Sequence, residues 1–471
     1  MGAGGGRMKN EFIVDNEKFW HSRQWLQYVH DDAKFRRLNP FALLLAVMAR
    51  LSALTPPNVT VQVSPHDRPM SLNLNVVLVG AAGTGKGKTL REARELLPTP
   101  EGNRMQVKKP RTGEGIVTAF VDRAELRDEE GKPHKGQYVN KIQTDRVLLE
   151  LSEVTDLRTA MAGEGSTMLG TLLSGFSGET RGGNTRTARS NVTLPPNTYR
   201  LSSVIAAQPS QCDVFFSNAE VGFASRFLFA PAGDPQAPDV QPPAPQGTFP
   251  ALAAGIPQGP DDTQLETLRS RDGVPFPNGA GMLAWPAHVV HLPPVAAREA
   301  DRLQLLGTRG ELGDLDAHRL EPAARLTALF ALADGREIAS EEDWQLANAC
   351  LHLSDEARAE CQAKMQASSL RRRVQRAADD KRAKEEAEVQ VKAERLASVK
   401  KSIVKWLGKN DPGCEGAKVG RFQCCTRWRD LIGTALDELI AEGRVDRVGT
   451  DGSSYALTPA SSGQASSALL A

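Results

Sequence analysis

The sequence predicts an α/β fold, with a helical region ahead of it, helices behind it and a small helix-and-strand module near the C-terminal end. Three observations carry this prediction. The run Val76, Val77, Leu78, Val79 is short, largely β-branched and stopped by Gly80, as suits a strand buried in a parallel sheet. Two later apolar runs, Arg146 to Glu153 and Thr198 to Ala207, have the same character. Helical patterns fill the stretches before, between and after these runs.

A chain of 471 residues is long enough for two or three domains, each with its own core. Its formal net charge of +1 says nothing about partners, so the local distribution of charge has to be used. No apolar run approaches the roughly 20 residues of a membrane span, and the N-terminus carries no secretory pattern; a cytoplasmic protein that does not enter membranes is expected. Met1 to Met8 reads as a flexible leader. Cysteines 212, 350, 361, 414, 424 and 425 lack metal-ligand spacing and read as free thiols, chiefly buried.

In chain order, residues 9–58 are expected to form an N-terminal helical domain. Phe19, Trp20, Trp25, Leu26 and Val29 supply its apolar positions, Asn39-Pro40 starts a helix, and Pro56-Pro57 stops it. An α/β core should span 59–295. Within it, Gly80 to Thr89 follows the first strand, and Gly80, Gly83, Gly85 and Gly87 let the backbone turn its N–H groups toward an anion at the start of a helix. This is the pattern of a phosphate-binding loop. Two registers fit it. Counting from Gly80 makes Lys86 the phosphate lysine but places Gly87 where a magnesium-binding hydroxyl is usual; counting back from Lys88 and Thr89 restores the hydroxyl but places Ala82 at the opening glycine. The first is preferred, because the loop then starts where the strand ends. Thr84 lies inside the loop, and Thr89 or a water would help hold the metal.

A helix is expected from Ile116 to Leu126 and an exposed hairpin or loop at Asp128 to Gly136. The acidic end of the next strand suits magnesium binding and water activation, with Glu153 as the catalytic glutamate and Glu150 or a water compensating for Ser152 on the metal side. After an amphipathic helix at Ser166 to Phe176, the Gly-rich stretch 177–191 carries Arg181, Arg186 and Arg189, which can meet phosphates. Gln208, at the tip of the Thr198 to Ala207 strand, is a sensor candidate. Arg226 stands in an apolar run and must be paired or reach out of the fold, for example to a neighbouring subunit's nucleotide.

A Pro-rich excursion (231–277), a helical lid (296–367) and a charged linker helix (368–398) follow. Residues 399–460 read as a winged helix: helices, then strands about the Asp451-Gly452 turn, with Arg421, Arg427 and Arg429 near the helix that would enter a major groove. Winged helices also serve as protein-binding modules. Residues 461–471 are expected to be disordered.

Phe19-Trp20, Asn39-Pro40, the Gly80 to Gly87 loop, Gly113-Glu-Gly115, Glu153, Ser177-Gly-Glu179, Tyr199-Arg200, Gln208-Pro209, Arg226-Phe227 and Asp334 to Trp344 together resemble a family of P-loop proteins. Its members are carried by actinobacteria, phages and mobile elements, and are described as helicase-like or as partners of a primase. The resemblance spans roughly residues 17 to 365. Ser225-Arg226-Phe227 is also similar to the arginine-finger motif of minichromosome-maintenance helicases, and the arginine hairpin to that of superfamily 3 helicases. The resemblance implies an AAA+ core that uses ATP and Mg2+ in a homo-oligomeric ring, expected as a hexamer, acting on single-stranded DNA in its channel and duplex at the winged helix, with a primase or polymerase as partner. It further implies that Lys86 binds phosphate, Glu153 activates water, Gln208 is sensor 1, Arg226 acts in trans, and Arg319 or Arg325 is sensor 2. A DNA helicase or replication-initiation ATPase is the first functional expectation. An ATP-switched DNA-binding initiator or regulator with little motor activity is the alternative. A small-molecule kinase leaves the arginine hairpin and the tail unexplained.

Overall fold

The structure, a computed structural model, describes residues 10–14, 16–127, 130–163, 165–183, 192–194, 196–252, 288–313, 318–418 and 428–459. The chain divides into two compact units, 1–369 and 370–471. The first is mixed α/β. Its central sheet has five parallel strands: β1 (Asn75–Val79), β2 (Gln106–Lys108), β3 (Arg146–Leu151), β4 (Arg200–Ala207) and β5 (Leu228–Pro231), in the spatial order β5-β1-β4-β3-β2. Strand β4 therefore separates the glycine-loop strand from the acidic strand.

Side-chain alternation divides the core in two. Val76 and Leu78 of β1, Leu148 of β3 and Val204 of β4 join one apolar cluster; Val77 and Val79, Val147, Leu149 and Leu151, and Ile205 and Ala207 join the other. The first face is covered by Pro40–Leu54 and Leu320–Ala333, the second by Gly113–Phe120, Val154–Ala162 and Met168–Ser177. Pro40–Leu54 is buried along its whole length, because it is apolar all round and needs cover on every side. Asn39 caps it, accepting from the Ala42 N–H at 3.1 Å, with Pro40 in the first turn. Helices of the 9–58 region, expected as an N-terminal helical domain, thus form part of the core of the sheet.

Buried arginines fasten this core. Arg200, with no exposed surface, donates to the carbonyls of Thr55, Pro56 and Val59 and to Ser71 Oγ at 2.6–3.2 Å. Arg146 donates to Leu54 O at 2.9 Å. Together they satisfy the carbonyl end of Pro40–Leu54 and of the turn after it. Burial first, then the neighbouring Arg325 and Arg146, lowers the Arg200 pKa to about 9. The 334–344 segment is a clasp: Trp25 Nε1 and Arg23 Nε donate to Asp334 at 3.0 and 2.8 Å, and Arg336 bridges Asp334 and Asp343. Ser340 and Asp343 cap each other reciprocally at the start of the Glu341–Asn410 helix.

Several local expectations change. The helix expected to reach Leu126 ends at Phe120, and Val121–Arg127 instead pairs antiparallel with Pro133–Ile142. The first part of the Pro-rich excursion has no α-helix or strand between 232 and 252 and is tied to Gln24–Arg36, where Lys34 Nζ lies 2.6 Å from Asp234. The lid and linker share the single helix Glu341–Asn410. Leader, C-terminal tail and residues 253–277 lie outside the described residues. Among those described, no helix is long and apolar enough to cross a membrane.

In the second unit, Val399, Ile403 and Leu407 pack with Leu431, Ala435, Leu436, Leu439 and Val445. The same unit holds a three-stranded antiparallel sheet, in the order Ala417–Lys418, Ser454–Leu457, Val445–Val448.

Candidate functional site

The carboxyl ends of β1, β4 and β3 lie level. Ala207 pairs with Val79, Ile205 pairs with Leu151, and the Gly80 N–H donates to Ala207 O at 3.0 Å. With strands about 4.8 Å apart, β4 holds the glycine loop and the acidic strand end on either side of a cleft. Its volume is about 410 Å³, and its walls are Ala82 to Gly87, Ser152 to Val154, Ala206, Gln208 and Gln211. A parallel sheet binds ligands at its carboxyl ends, where strand order reverses; here β1 is flanked by β5 on one side and β4 on the other.

The loop is built by its glycines. Gly85 has φ 86°, in the left-handed region, and immediately precedes Lys86–Leu96. At Gly80 a Cβ would stand 2.3 Å from Thr84 Oγ1, so a side chain there would displace the turn. The Lys86 ammonium curls back over the loop and donates to the carbonyls of Gly80 and Ala81 at 2.6 and 2.7 Å. Burial lowers its pKa, opposed by the charge of Glu153. Lys88, two residues on, is exposed and donates to Arg36 O, away from the loop. The geometry therefore sets the two registers apart: Lys86 lines the cleft and Lys88 does not.

Glu153 stands just ahead of the Val154–Ala162 helix, exposed in the cleft, and its Oε2 accepts from Thr155 Oγ1 at 3.2 Å. Gln208 faces it from the tip of β4. Gln211, on the Pro209–Gln211 turn, also lines the cleft; sequence reasoning passed over it, although it lies three residues after Gln208, the spacing that brings side chains together on such a turn. Beneath them Cys212 is fully buried and donates to Gln208 O at 3.3 Å, and its hydrogen bond with Cys361, then burial, raise its pKa.

The residues expected on the metal do not converge. Thr89 is wholly buried and its hydroxyl donates to Gly85 O at 3.2 Å. Glu150 points to the face opposite Leu149 and Leu151 and binds Arg94 at 2.7 Å. Of the three, only Glu153 reaches the cleft. Among the described residues, no cluster of three or more His, Cys, Asp or Glu is placed to hold a metal ion. With Thr89 and Glu150 engaged elsewhere, and Gly87 and Ser152 at the usual metal-side positions, the side chains present do not fit the ligand set expected for Mg2+.

The expected arginine sensors also lie elsewhere. Arg325 is 2% exposed, donating to Ser71 O at 3.0 Å and to Glu321 at 2.8 Å, because it sits on the buried face of Leu320–Ala333. Burial works against the Glu321 charge, but Arg325 and the His318 hydrogen bond outweigh it and hold the carboxyl at about 2. Arg319 pairs with Asp355. Arg226 is half-buried and folds back on its own turn, donating to the carbonyls of Gly222 at 2.8 Å and Val221 at 3.3 Å, while its Nε is buried without a partner. Neither Arg319 nor Arg325 lines the cleft; Arg226, expected to act on a neighbouring subunit's nucleotide, does not line its own chain's cleft. Arg181 begins a strand, Arg181–Gly183, that pairs antiparallel with Val192–Leu194. Arg186 and Arg189 between them, and Arg421 and Arg427, lie outside the described residues. Arg429 is exposed on the turn just before Ile432–Ala441.

No protein-family model matches the chain, and no curated protein matches it.

Proposed function

We propose that the protein is an AAA+ P-loop ATPase that works on DNA, as a ring-forming helicase or replication-initiation motor. The observation that carries this reading is the cleft at the level ends of β1, β4 and β3, which joins the Lys86 loop, Glu153 and Gln208. The loop's N–H groups, the Lys86 ammonium and the start of Lys86–Leu96 receive the phosphates of ATP. Lys86 then exchanges two backbone carbonyls for phosphate oxygens. Glu153 accepts the proton of the attacking water, and Gln208 and Gln211 donate to the terminal phosphate or the water.

DNA is assigned to the arginines of the 181–189 stretch and, by the winged-helix reading of 399–460, to Arg421, Arg427 and Arg429. The helix, three-stranded sheet and Ile432–Ala441 of the second unit support that reading. Forked-duplex unwinding and DNA-stimulated ATP hydrolysis test the proposal together. Replacing Arg181, Arg186 and Arg189 by Ala should remove both, since phosphate contacts provide sequence-independent grip. Wild-type unwinding by that variant would return the three arginines to the surface.

A second reading is favoured by Gly87 and Ser152, which stand where metal-binding side chains are usual. In it, ATP switches assembly on DNA with little turnover. ATP-dependent DNA binding without measurable hydrolysis would select this reading over the motor.

A further inference from the structure

The misfit of the cleft to Mg2+ has a definite form. A phosphate loop usually adds a hydroxyl to the cation's shell directly after its lysine, and the acidic strand adds a carboxylate. Those two positions are Gly87 and Ser152, both exposed and both on the cleft wall. The side chains that might substitute are engaged elsewhere: Thr89 with Gly85 O at 3.2 Å, Glu150 with Arg94 at 2.7 Å, and Thr84 with Ala81 O at 2.9 Å. Glu153 is the single carboxylate among the lining residues, and the catalytic reading assigns it to water. Nor is the gap steric. A Cβ at Gly87 would meet nothing within 4 Å, so there is room for the side chain that is missing.

We propose that this cleft binds the phosphates of a nucleoside triphosphate without contributing the usual pair of side chains to a divalent cation, so that nucleotide affinity is nearly independent of Mg2+. The inference rests on reading the cleft as a nucleotide site. Phosphate charge is met instead by Lys86, the loop N–H groups and the positive end of the 11-residue helix Lys86–Leu96.

The test is titration of the full-length chain with a fluorescent ATP analogue, once in excess EDTA and once in excess Mg2+. Wild-type affinities should agree within about threefold, less than about 0.7 kcal/mol. The double variant Gly87→Thr, Ser152→Asp should acquire tightening by Mg2+ of about tenfold or more. Wild-type binding tightened that much by Mg2+, and abolished by Lys86→Ala, would overturn the inference while leaving the nucleotide site standing. A double variant that binds but gains nothing from Mg2+ would overturn it too, since these positions would then not reach the cation. Failure of the wild type to bind in either condition would refute the nucleotide reading, and the inference with it. The wild-type comparison needs no substitution, so a poorly folded variant does not obscure the result.

Discussion

Replacing Lys86 and Lys88 separately by Ala distinguishes the two registers of the glycine loop. Lys86 Nζ lies 2.6 and 2.7 Å from the carbonyls of Gly80 and Ala81 on the cleft wall, so a phosphate entering the loop meets a preplaced ammonium. A hydrogen bond to a charged group contributes about 1.5–3 kcal/mol. Losing that contact should weaken ATP binding by about 10- to 150-fold. Part of the loss is offset, because the variant no longer has to break the ammonium's bonds to the two carbonyls before binding. Lys88 is exposed and bonded to Arg36 O, outside the cleft, so Lys88→Ala should leave the dissociation constant within about threefold of wild type. Calorimetric titration with ATP measures both, and a melting curve for each variant shows whether the fold survives. Full-affinity binding by Lys86→Ala together with loss of binding by Lys88→Ala would refute the reasoning and restore the register in which Thr89 follows the lysine.

Glu153→Gln should bind ATP normally and hydrolyse it about 10²- to 10⁴-fold more slowly, as expected for loss of a general base; equal turnover in single-turnover assays would move that role to another group. Arg226→Ala should bind nucleotide nearly as wild type does yet lose turnover, and should poison wild-type protein when mixed with it; a loss strictly proportional to its fraction would argue against a shared site. The Glu92 carboxyl, buried beside Asp32 and Arg36, titrates at about 7 in the fold against 4.5 as its ordinary value, with burial the first cause and the Asp32 charge the second. Because the folded state holds this proton more tightly, its stabilising contribution is complete below pH 4.5 and is lost as pH rises through 7. Glu92→Gln should therefore raise the melting temperature near about pH 8 and change it little near about pH 5; an equal shift at both would refute the assignment.

The phosphate-type loop was legible because it is contiguous. Strand, glycines, lysine and helix follow one another from Val76 to Leu96, and Gly85 adopts the left-handed φ that its residue type favours. The helix start at Asn39-Pro40 was legible for the same reason, since a cap acts within one turn. Glu153 and Gln208 could be nominated as the residues that end apolar runs. Only the tertiary structure brought them to one cleft, because that depends on β4 pairing on one side with β1, more than one hundred residues earlier in the chain, and on the other with β3, about fifty residues earlier.

Where local pattern and tertiary pairing disagreed, pairing prevailed. The segment from Val121 continued a helical pattern, yet it became a strand because Pro133–Ile142 pairs with it antiparallel, with one register shift between Glu125 and Arg127. Pro40–Leu54 read as part of an N-terminal helical domain; predominantly apolar and buried along its whole length, it closes over the sheet that covers it. Arg325 carried a charge that suited a sensor, but its place on the buried face of Leu320–Ala333 turned that charge to Glu321. The sequence by itself determined the strand, glycine turn and helix start around Lys86 and nominated Glu153 and Gln208, since residue type and short-range backbone geometry are local. The tertiary structure decided which of those residues share a cleft, because burial and strand order depend on partners remote in the chain.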